Sequence, residues 1–495
     1  MKRLSRVRSA AWATAGLLAA AIAVGVLLFS NSSSEERGVA GRPIDSSNVS
    51  SLEVAWRLPL TAKSIFGSYA STPVVAGEVV YSQDLASSVQ AIDLQSGRVL
   101  WTKSYESPSP GPNGVVVAGG RVFGATENAA FALDRKSGRQ LWSVSLVRNG
   151  SEGIDMAPGF HDGTVYMSTV PVSIAGAYRG GGAGVLWALD ARTGRKLWHF
   201  DTVPRGLWGR PEVNSGGGLW YPPAFDDEGS MYFGVGNPAP FPGTEAEPWG
   251  SSRPGPNLYT DSMVKLNAKS GKLQWYYQQT PHDVYDWDFQ DQPILASARG
   301  RELAIGAGKS GVVVAVDRKT GQPVWKRAVG THNGHDRDSI RAMHREYLAL
   351  KPAMVFPGEL GGVIAPMATN GALLFVPVVD APLSISSRSR LRRTGAMRGE
   401  LVALDLATGA VAWRRRLPSP AFGAPATVND LVFATTYAGD VYVFDANNGQ
   451  RIWQAKLPAG TNTGVTVAGD TVIAPAGVAA GPGQAAQIVA YRLGG

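Results

Sequence analysis

The stretch Gly184–Phe200 reads GVLWALDARTGRKLWHF and contains the pattern that decides the fold. Its centre is Ala-x-Asp-x-x-x-Gly-x-x-x-Trp, which runs from Ala188 to Trp198. Asp190 can accept hydrogen bonds from backbone N–H groups of a turn, and Gly194 can supply a positive φ there. Strand-forming residues flank the turn on both sides. The stretch therefore predicts a β-hairpin with a large tryptophan on its second strand, suited to packing between neighbouring sheets.

The same eleven-residue pattern occurs seven times along the chain, with small variations. Repetition of a hairpin at this spacing is typical of a β-propeller, in which four-stranded blades surround an axis. The shortest spacing, from Asp405 to Asp445, is about the length of one blade, and longer spacings indicate insertions in loops. The other copies are Ala91–Trp101, Ala132–Trp142, Lys265–Trp275, Ala315–Trp325, Ala403–Trp413 and Val443–Trp453.

The two ends of the repeat region complete the blade count. LEVAWRL, at Leu52–Leu58, resembles the second half of a hairpin, and QIVAYRL, at Gln487–Leu493, resembles the first half. Pairing of these segments would form an eighth blade and remove the exposed edges of an open array. The sequence thus predicts an all-β, eight-bladed propeller over residues 51–495.

The N-terminal residues differ from the rest of the chain. Lys2, Arg3, Arg6 and Arg8 precede an apolar run, Ala10–Phe29, which is about as long as a bilayer span. We expect residues 1–30 to form an uncleaved N-terminal transmembrane helix, with the propeller outside the cytoplasm. A cleaved signal peptide and a secreted protein are the alternative. Residues 31–50 are expected to form a flexible linker.

Composition excludes several classes of site. The chain contains no cysteine, which removes disulfides, zinc–thiolate sites and covalent c-type haem. The net charge is +8, and the arginines between Arg388 and Arg398 and at Arg414, Arg415 and Arg416 are clustered. They indicate either contact with anionic lipid head groups or an ordinary solvated basic loop. The export signal argues against nucleic-acid binding.

The central stretch is the most specific part of the chain. It contains the segments GGGLWYPPAFD (Gly216–Asp226), YFGVGNPAP (Tyr232–Pro240), the stretch Gly255–Phe289 with TPHD, and GAGKSGVVVAVDRKTG (Gly306–Gly321). With these segments the chain resembles the pyrroloquinoline quinone (PQQ) dehydrogenases, the quinoprotein alcohol and methanol dehydrogenase family. The resemblance implies a propeller enzyme that oxidises an alcohol or sugar, with PQQ and a bound Ca²⁺ or lanthanide ion, and that passes electrons to a separate acceptor.

The resemblance implies a role for five residues. Trp220 matches the family's tryptophan under the quinone, and Lys309 matches the basic residue at the quinone oxygens. Asn237 matches the amide ligand of the cation. Asp286 matches the catalytic base and Asp288 the extra carboxylate of lanthanide-dependent members, and both are expected at the cation. The structural alternatives are a core tryptophan, a turn asparagine, acidic loop residues and an exposed lysine.

Three departures from the family pattern weaken this interpretation. The family's vicinal disulfide is absent, and Asn113 replaces an arginine expected beside the quinone. The segment Ser173–Asp190 has no carboxylate before Asp190 where a cation-binding glutamate is expected, and Arg179 lies near that position. The alternative function is a non-catalytic propeller that acts as an envelope protein-interaction scaffold.

One further motif contains possible metal ligands. THNGHDRD, at Thr331–Asp338, carries His332, His335 and Asp336 at short spacing. These residues indicate either a metal site or polar turn residues. The following stretch, Asp338–Leu350, is the best candidate for a short helix.

Overall fold

The computed structural model describes residues 41–494, except 65, 110, 175, 176, 179, 205 and 394. The transmembrane segment predicted for residues 1–30 and the first part of the predicted linker lie outside the described residues. None of the helices in the described ranges has the length and apolarity that a bilayer crossing requires.

The described part of the chain contains eight four-stranded antiparallel sheets, which we number in chain order. Within each sheet we count strands from the one nearest the axis outward. The strands are Val74–Ala76, Val79–Gln83, Val89–Asp93 and Val99–Lys103 (sheet 1); Val116–Ala118, Arg121–Ala125, Ala129–Asp134 and Gln140–Ser145 (sheet 2); Gly159–His161, Thr164–Ser168, Val185–Asp190 and Lys196–Asp201 (sheet 3); Ala224–Phe225, Ser230–Gly234, Ser262–Asn267 and Leu273–Gln278 (sheet 4); Ile294–Ala298, Arg301–Gly306, Val312–Asp317 and Pro323–Ala328 (sheet 5); Ala368–Thr369, Leu373–Asp380, Arg398–Asp405 and Val411–Leu417 (sheet 6); Ala426–Val428, Leu431–Thr435, Asp440–Asp445 and Arg451–Lys456 (sheet 7); and Thr466–Ala468, Thr471–Ala476, Gln487–Leu493 and Leu52–Pro59 (sheet 8).

Each sequence repeat forms the hairpin of strands 3 and 4 in its sheet. The first and last residues of all seven repeats are direct cross-strand partners, as Ala188 is of Trp198. The Asp190 carboxylate accepts hydrogen bonds from the backbone N–H and the hydroxyl of Thr193 at 2.8 and 2.6 Å. The predicted hairpin is therefore confirmed.

The repeat tryptophans and glycines hold neighbouring sheets together. Trp275 of sheet 4 donates its indole N–H to the carbonyl of Arg318 in sheet 5 at 3.1 Å. Gly321 lies against the same ring, so a Cβ there would be 2.8 Å from Trp275 Cδ2. Trp453 of sheet 7 instead packs on the Tyr491 ring of sheet 8, with centroids 5.4 Å apart. These contacts join the eight sheets in chain order and join sheet 8 back to sheet 1. The other tryptophan–glycine pairs are Trp56–Gly97, Trp101–Gly138, Trp142–Gly194, Trp198–Gly271, Trp325–Gly409 and Trp413–Gly449.

The two ends of the repeat region share sheet 8. Leu52–Pro59 pairs antiparallel with Gln487–Leu493, from Leu52 opposite Leu493 to Pro59 opposite Gln487. The predicted pairing of these segments is confirmed. The predicted linker differs from the structure near its end, where Ile44 and Val49 are fully buried and the carbonyl of Ile44 accepts a hydrogen bond from Asn429. The reason is that these two apolar side chains pack against sheets 7 and 8.

The antiparallel order places the connections at two different ends of the ring. The repeat turns lie at one end. The connections between strands 2 and 3, and those from strand 4 to the next sheet, emerge at the opposite end, which we call the loop end. Additional elements lie there: the strand pairs Glu152–Gly153 with Val170–Pro171, Ser173–Ile174 with Ala177–Tyr178, and Ser215–Gly216 with Pro238–Ala239; the sheet Met354–Val355, Leu383–Ser387 and Arg390–Arg393; and the 3-10 helix Pro248–Gly250.

The helix predicted for Asp338–Leu350 is shorter than expected. An α-helix covers Asp338–Met343, and a separate 3-10 turn covers Tyr347–Ala349. Arg345, between them, has a φ of +63°, which ends the helical geometry. A further 3-10 turn, Val49–Ser51, precedes sheet 8.

Candidate active site

The five residues predicted from the sequence all lie in loop-end connections of neighbouring sheets. Trp220 lies between sheets 3 and 4, and Asn237 lies between strands 2 and 3 of sheet 4. Asp286 and Asp288 lie between sheets 4 and 5, and Lys309 lies between strands 2 and 3 of sheet 5. Their convergence follows from the antiparallel order, because these connections all open at one end of the ring.

The side chains form one cluster. Lys309 Nζ lies 2.7 Å from Asp286 Oδ2 and 2.5 Å from Asp288 Oδ2. The backbone N–H of Asn237 donates to Asp288 Oδ1 at 2.6 Å. Trp220 lies beside them: a Cβ at Gly236 would be 2.7 Å from Asp288 Oδ1 and 3.0 Å from Trp220 Nε1. The fold thus brings together residues that are distant in sequence, since Asn237 and Asp288 are 51 positions apart.

Lys309 occupies the position between the two carboxylates where the sequence predicted a cation. Its ammonium contacts Asp286 and Asp288 rather than standing as an exposed lysine. Within the described residues, no three His, Asp or Glu side chains are already arranged around a common metal position. The donors present are carboxylate and amide oxygens, which are the ligands of hard cations.

The carboxyl of Asp286 is strongly influenced by its surroundings. Burial raises the pKa of its carboxyl well above the ordinary value, Lys309 lowers it, and the carboxylates of Asp288 and Glu359 raise it again. Its Oδ1 atom is buried and has no hydrogen-bond partner, whereas Oδ2 binds Lys309. The carboxyl therefore has one uncommitted oxygen that is available to a proton.

The chain around Asp286 is fixed on both sides. The Asp283 carboxylate accepts hydrogen bonds from the backbone N–H groups of Tyr285 and Trp287 at 2.8 and 2.7 Å. The Tyr285 hydroxyl donates to Asp338 Oδ2 at 2.7 Å. These bonds hold Asp286 in the left-handed backbone region, at a φ of +66°. Asp283, which belongs to the TPHD motif, thus acts on the cluster through the backbone.

The sequence analysis missed two buried carboxylates nearby. Asp155 and Asp261 are 3% and 0% exposed, and Asp155 Oδ1 and both oxygens of Asp261 have no hydrogen-bond partner. Burial is the main cause that raises the pKa of both carboxyls, and the Asp288 carboxylate adds to it. For Asp155, its position in the sequence was an available signal. It lies three residues before Pro158, and it precedes sheet 3 in the same way as Trp220 precedes sheet 4. The cluster is therefore surrounded by carboxyl groups that would ionise more readily beside a bound cation.

One of the departures from the family pattern can be located in the structure. Asn113 is buried at the loop end of sheet 2, and its amide donates to the carbonyl of Asp84 at 2.8 Å. An asparagine cannot supply the positive charge of the arginine that the family has there. Arg179 lies outside the described residues.

The histidine motif forms two separate pairs. His332 Nδ1 lies 2.7 Å from Asp336 Oδ1, and His335 Nδ1 lies 2.8 Å from Asp338 Oδ2. Each histidine thus has its own carboxylate, and in the described part of the chain the two pairs share no metal position. The interpretation of these residues as polar loop residues fits this arrangement.

Two family models match the chain. The model of the glucose/ethanol/alcohol dehydrogenase β-propeller domain, named for PQQ, matches residues 28–329. The model of the outer membrane protein assembly factor BamB matches residues 378–494. The first match contains all five residues of the cluster, and the second contains sheet 7, three of the four strands of sheet 8 and the two outer strands of sheet 6.

Curated relatives with known activity cover most of the chain. It is 27% identical over 500 residues to the quinohemoprotein alcohol dehydrogenase ADH IIB of Pseudomonas putida, which covers 86% of this chain and 69% of the relative. It is 26% identical over 507 residues to the dehydrogenase subunit of the quinone alcohol dehydrogenase of Gluconacetobacter polyoxogenes, with 84% and 66% covered. The chain thus spans about two thirds of these relatives.

Solved structures match over a similar extent. The quinohemoprotein alcohol dehydrogenase ADHIIG of Pseudomonas putida HK5 superposes with a TM-score of 0.78 at 25% identity, over 93% of this chain and 79% of that one. A europium-containing methanol dehydrogenase has the same fold, with a TM-score of 0.76 at 19% identity, over 91% and 95% of the two chains. Because the dehydrogenase propeller model covers more than half of the sequence, the protein belongs to the PQQ-dependent glucose/ethanol/alcohol dehydrogenase family of β-propellers.

Proposed function

We propose that this protein is a quinoprotein dehydrogenase that oxidises an alcohol or a sugar with PQQ and a bound Ca²⁺ or lanthanide ion. A separate acceptor takes up the electrons. The observation that carries the proposal is the contact of Lys309 with both Asp286 and Asp288 at the loop end, beside Trp220 and Asn237. Membership of the dehydrogenase family supports the same chemistry.

The residues of the cluster fit the quinone. PQQ is planar, and the half-buried Trp220 offers an indole ring on which a flat cofactor can stack. Trp220 Nε1 is buried without a hydrogen-bond partner. Trp220 and Lys309 would hold the quinone, and PQQ, when bound, supplies the two-electron acceptor for the oxidation.

The residues also fit a hard cation. Asn237, Asp286 and Asp288 offer oxygen ligands, and Asp286 Oδ1 has no partner in the described structure. The predicted glutamate ligand is missing from the sequence, and the buried carboxyl of Asp155 lies close enough to Asp288 to interact with its charge. We therefore expect the cation to be held by fewer ligands than in family members that have the glutamate.

Within this function Asp286 acts as the general base. Its uncommitted Oδ1 is the atom that would take the hydroxyl proton of the substrate, and burial makes the carboxylate more basic than in water. The Lys309 ammonium holds the other oxygen at 2.7 Å and keeps the carboxyl oriented. The same ammonium would stabilise negative charge that develops beside it.

The scaffold alternative is less well supported. The assembly-factor match covers residues 378–494, which contain none of the five residues of the cluster. The likeness to a solved BamB, from Moraxella catarrhalis, has a TM-score of 0.54 at 14% identity and concerns the fold alone. The named dehydrogenase relatives cover 84–86% of the chain.

Titration of the purified protein with PQQ, in chelator-treated buffer with added Ca²⁺ or La³⁺, tests the proposal. We expect a saturable change in the quinone absorbance that requires one of the cations and that Trp220→Ala weakens at least tenfold. Trp325→Ala, which removes a repeat tryptophan away from the cluster, should leave quinone binding unchanged in the folded fraction. Absence of a saturable change with both cations would refute the proposal.

We also infer that the eight sheets are the eight blades of one closed propeller over residues 51–495, and that residues 1–30 export and anchor it. The inferred ring rests on the tryptophan contacts between successive sheets.

The inferred anchor rests on the basic flank and the apolar run Ala10–Phe29. The full-length protein should stay in the membrane fraction after a high-salt wash. Recovery as a soluble species that lacks its N-terminus would show cleavage instead.

A further inference from the structure

An arginine-rich hairpin extends from the loop end of sheet 6. Its strands are Leu383–Ser387 and Arg390–Arg393, and they connect strands 2 and 3 of that sheet. Strand 3 begins at the exposed Arg398, and the outer strand carries the exposed Arg414 and Arg416. We define the basic surface as the exposed side chains of Arg388, Arg390, Arg392, Arg398, Arg414 and Arg416.

The positive charge of the basic surface is partly offset within sheet 6, where Asp380 is the cross-strand partner of Arg398 and Glu400 is that of Arg416. Among the described residues, one carboxylate forms an ion pair with these six side chains, namely Glu245, whose Oε1 lies 2.7 Å from the guanidinium of Arg390. Both partners of this pair are exposed, at 72% and 75% of the side chain. The pair demonstrates that the surface accepts a carboxylate, and five arginines remain without an ion pair in the described structure.

The basic surface covers the chain segment that holds the candidate base. On the inner side of the hairpin, Leu383 and Ile385 are buried against Tyr285 and Trp287, the two neighbours of Asp286. The hairpin is also tied to the 3-10 turn of the loop end, since Trp249 donates its backbone N–H to the carbonyl of Arg388 at 3.2 Å. A molecule bound to the outer side of the hairpin would therefore lie at the same end of the ring as the cluster.

Exposed apolar side chains accompany the arginines. Met354 is 45% exposed and is the cross-strand partner of Ser384 in the hairpin. Leu348, in the 3-10 turn that precedes Met354, is 85% exposed. Arginine together with exposed methionine and leucine is typical of a protein interface, where the fork of the guanidinium binds carboxylates in pairs of hydrogen bonds.

We propose that the basic surface docks an acidic protein, the electron acceptor of the proposed reaction. This inference rests on the proposed function in one respect: a chain without cysteine carries no c-type haem of its own, so electrons must leave to another molecule. Docking at the loop end would bring the acceptor to the end of the ring where the cluster lies. Complementary charge raises the association rate and makes it sensitive to salt.

The binding test uses an acidic c-type cytochrome as probe, with a basic c-type cytochrome and phosphatidylglycerol vesicles as comparisons. We expect saturable binding of the acidic cytochrome that weakens at least tenfold between 0.05 and 0.5 M salt. The triple variant R388Q/R390Q/R392Q should weaken it at least tenfold. The matched control R139Q/R192Q/R195Q removes three exposed arginines from repeat turns at the opposite end of the ring and should not. Equal loss in both variants, absence of binding, or binding of the vesicles alone would overturn the proposal.

A turnover assay separates this inference from the proposed function. With a small dye acceptor such as phenazine ethosulfate, the hairpin variant should turn over an alcohol at the wild-type rate. With the acidic cytochrome as acceptor, its rate should fall in parallel with its binding. If the wild-type protein does not turn over with the dye, the proposed function fails, whereas the binding comparison still decides whether the surface docks an acidic protein. A hairpin variant with full cytochrome-dependent turnover would contradict the docking proposal.

Discussion

Asp286 combines an unusual backbone conformation with two differently bonded oxygens. Its φ is +66°, a region that side-chain-bearing residues adopt at some cost, although Asp and Asn adopt it more readily than most. One carboxylate oxygen binds Lys309, and the other has no partner in the described structure. An asparagine at this position would keep the shape of the side chain and tolerate the positive φ, but its amide lacks the basicity of the carboxylate. This difference allows the proposed role of the carboxylate to be tested without disturbing the loop.

We predict that Asp286→Asn lowers kcat by about 10²–10⁴-fold, which is the typical contribution of a general base. Quinone affinity should change by less than a few-fold, because the amide keeps the size of the side chain. Steady-state turnover with a dye acceptor and an absorbance titration with PQQ measure the two quantities. Asp162→Asn, at an exposed position with a φ of +44°, is the control. A variant that keeps a tenth or more of wild-type turnover would exclude Asp286 as the base.

Asp261 permits a test of the buried negative charge itself. Burial and the carboxylates of Asp283 and Asp288 raise its pKa, so the folded state holds its proton more tightly than the unfolded state does. The stability that this proton contributes is complete below the unfolded pKa of about 3.8 and is lost as the pH rises through the folded pKa. The wild-type protein should therefore become less stable, relative to a variant that cannot ionise at this position, as the pH increases.

We predict that Asp261→Asn raises the free energy of unfolding by about 1–3 kcal/mol at pH 8, because the amide cannot ionise and so removes the cost of keeping this carboxyl protonated or of burying its charge. The gain should disappear at pH 4. Asparagine also suits the φ of +52° at this position. Thermal melting of apoprotein at pH 4, 6 and 8 measures the effect, with Asp162→Asn as the exposed control. A loss of stability at pH 8 would mean that the carboxylate is needed in its charged form.

The sequence predicted which residues lie in the cluster, but it did not predict the contacts between their side chains. Trp220, Asn237, Asp286, Asp288 and Lys309 were identified by resemblance to a family, and the structure brings them together. The bridge that Lys309 forms between two carboxylates depends on the packing of sheets 4 and 5, which no local pattern encodes. Asp261 was missed because a single aspartate in a loop has no spacing that distinguishes a buried from an exposed side chain. Asp155 was missed although its position before sheet 3 matches that of Trp220 before sheet 4.

At the scale of the element, the hairpin was predictable because its determinants are local. The first and last residues of each repeat are cross-strand partners, so the eleven-residue spacing is itself the register of the hairpin. The contact between a repeat tryptophan and the next sheet, which is made with a glycine for all of them except Trp453, is not local, and the sequence indicated only that the tryptophan would pack between sheets. The loop-end insertions were the least predictable elements, since the helix expected for Asp338–Leu350 ends at Met343.

We predict that Gly321→Ala destabilises the protein much more than Gly163→Ala. Both glycines have almost the same φ, +73° and +72°, so both substitutions carry the cost of about 1–2 kcal/mol for a left-handed alanine. A Cβ at Gly321 would also lie 2.8 Å from the Trp275 ring, whereas a Cβ at Gly163 meets no atom within 4 Å. The steric conflict should add about 1–3 kcal/mol. Urea denaturation of both variants measures the difference, and equal losses would contradict the docking role of the repeat glycine.

At the scale of the whole molecule, the strand Gln487–Leu493 closes sheet 8. It lies between Leu52–Pro59 and Thr471–Ala476, so its removal would leave two strands without their shared partner. We predict that a chain ending at Ala486 melts at a lower temperature and associates at high concentration, because open sheet edges pair with other chains. Size-exclusion chromatography and thermal melting measure both effects. A chain ending at Leu493 is the control, and a monomeric Ala486 variant with unchanged melting would contradict the closure.

The shared sheet also orders events during protein synthesis. Residues 52–59 are among the first of the described chain to leave the ribosome, and their partner, residues 487–493, is among the last. At roughly 5–20 residues per second, the first strand waits about 20–90 s for its partner. During that interval the nascent protein is an incomplete arc with an unpaired strand at its beginning. The native ring is therefore a post-translational product, and whatever protects the exposed edge of the arc has to act before the last strand arrives.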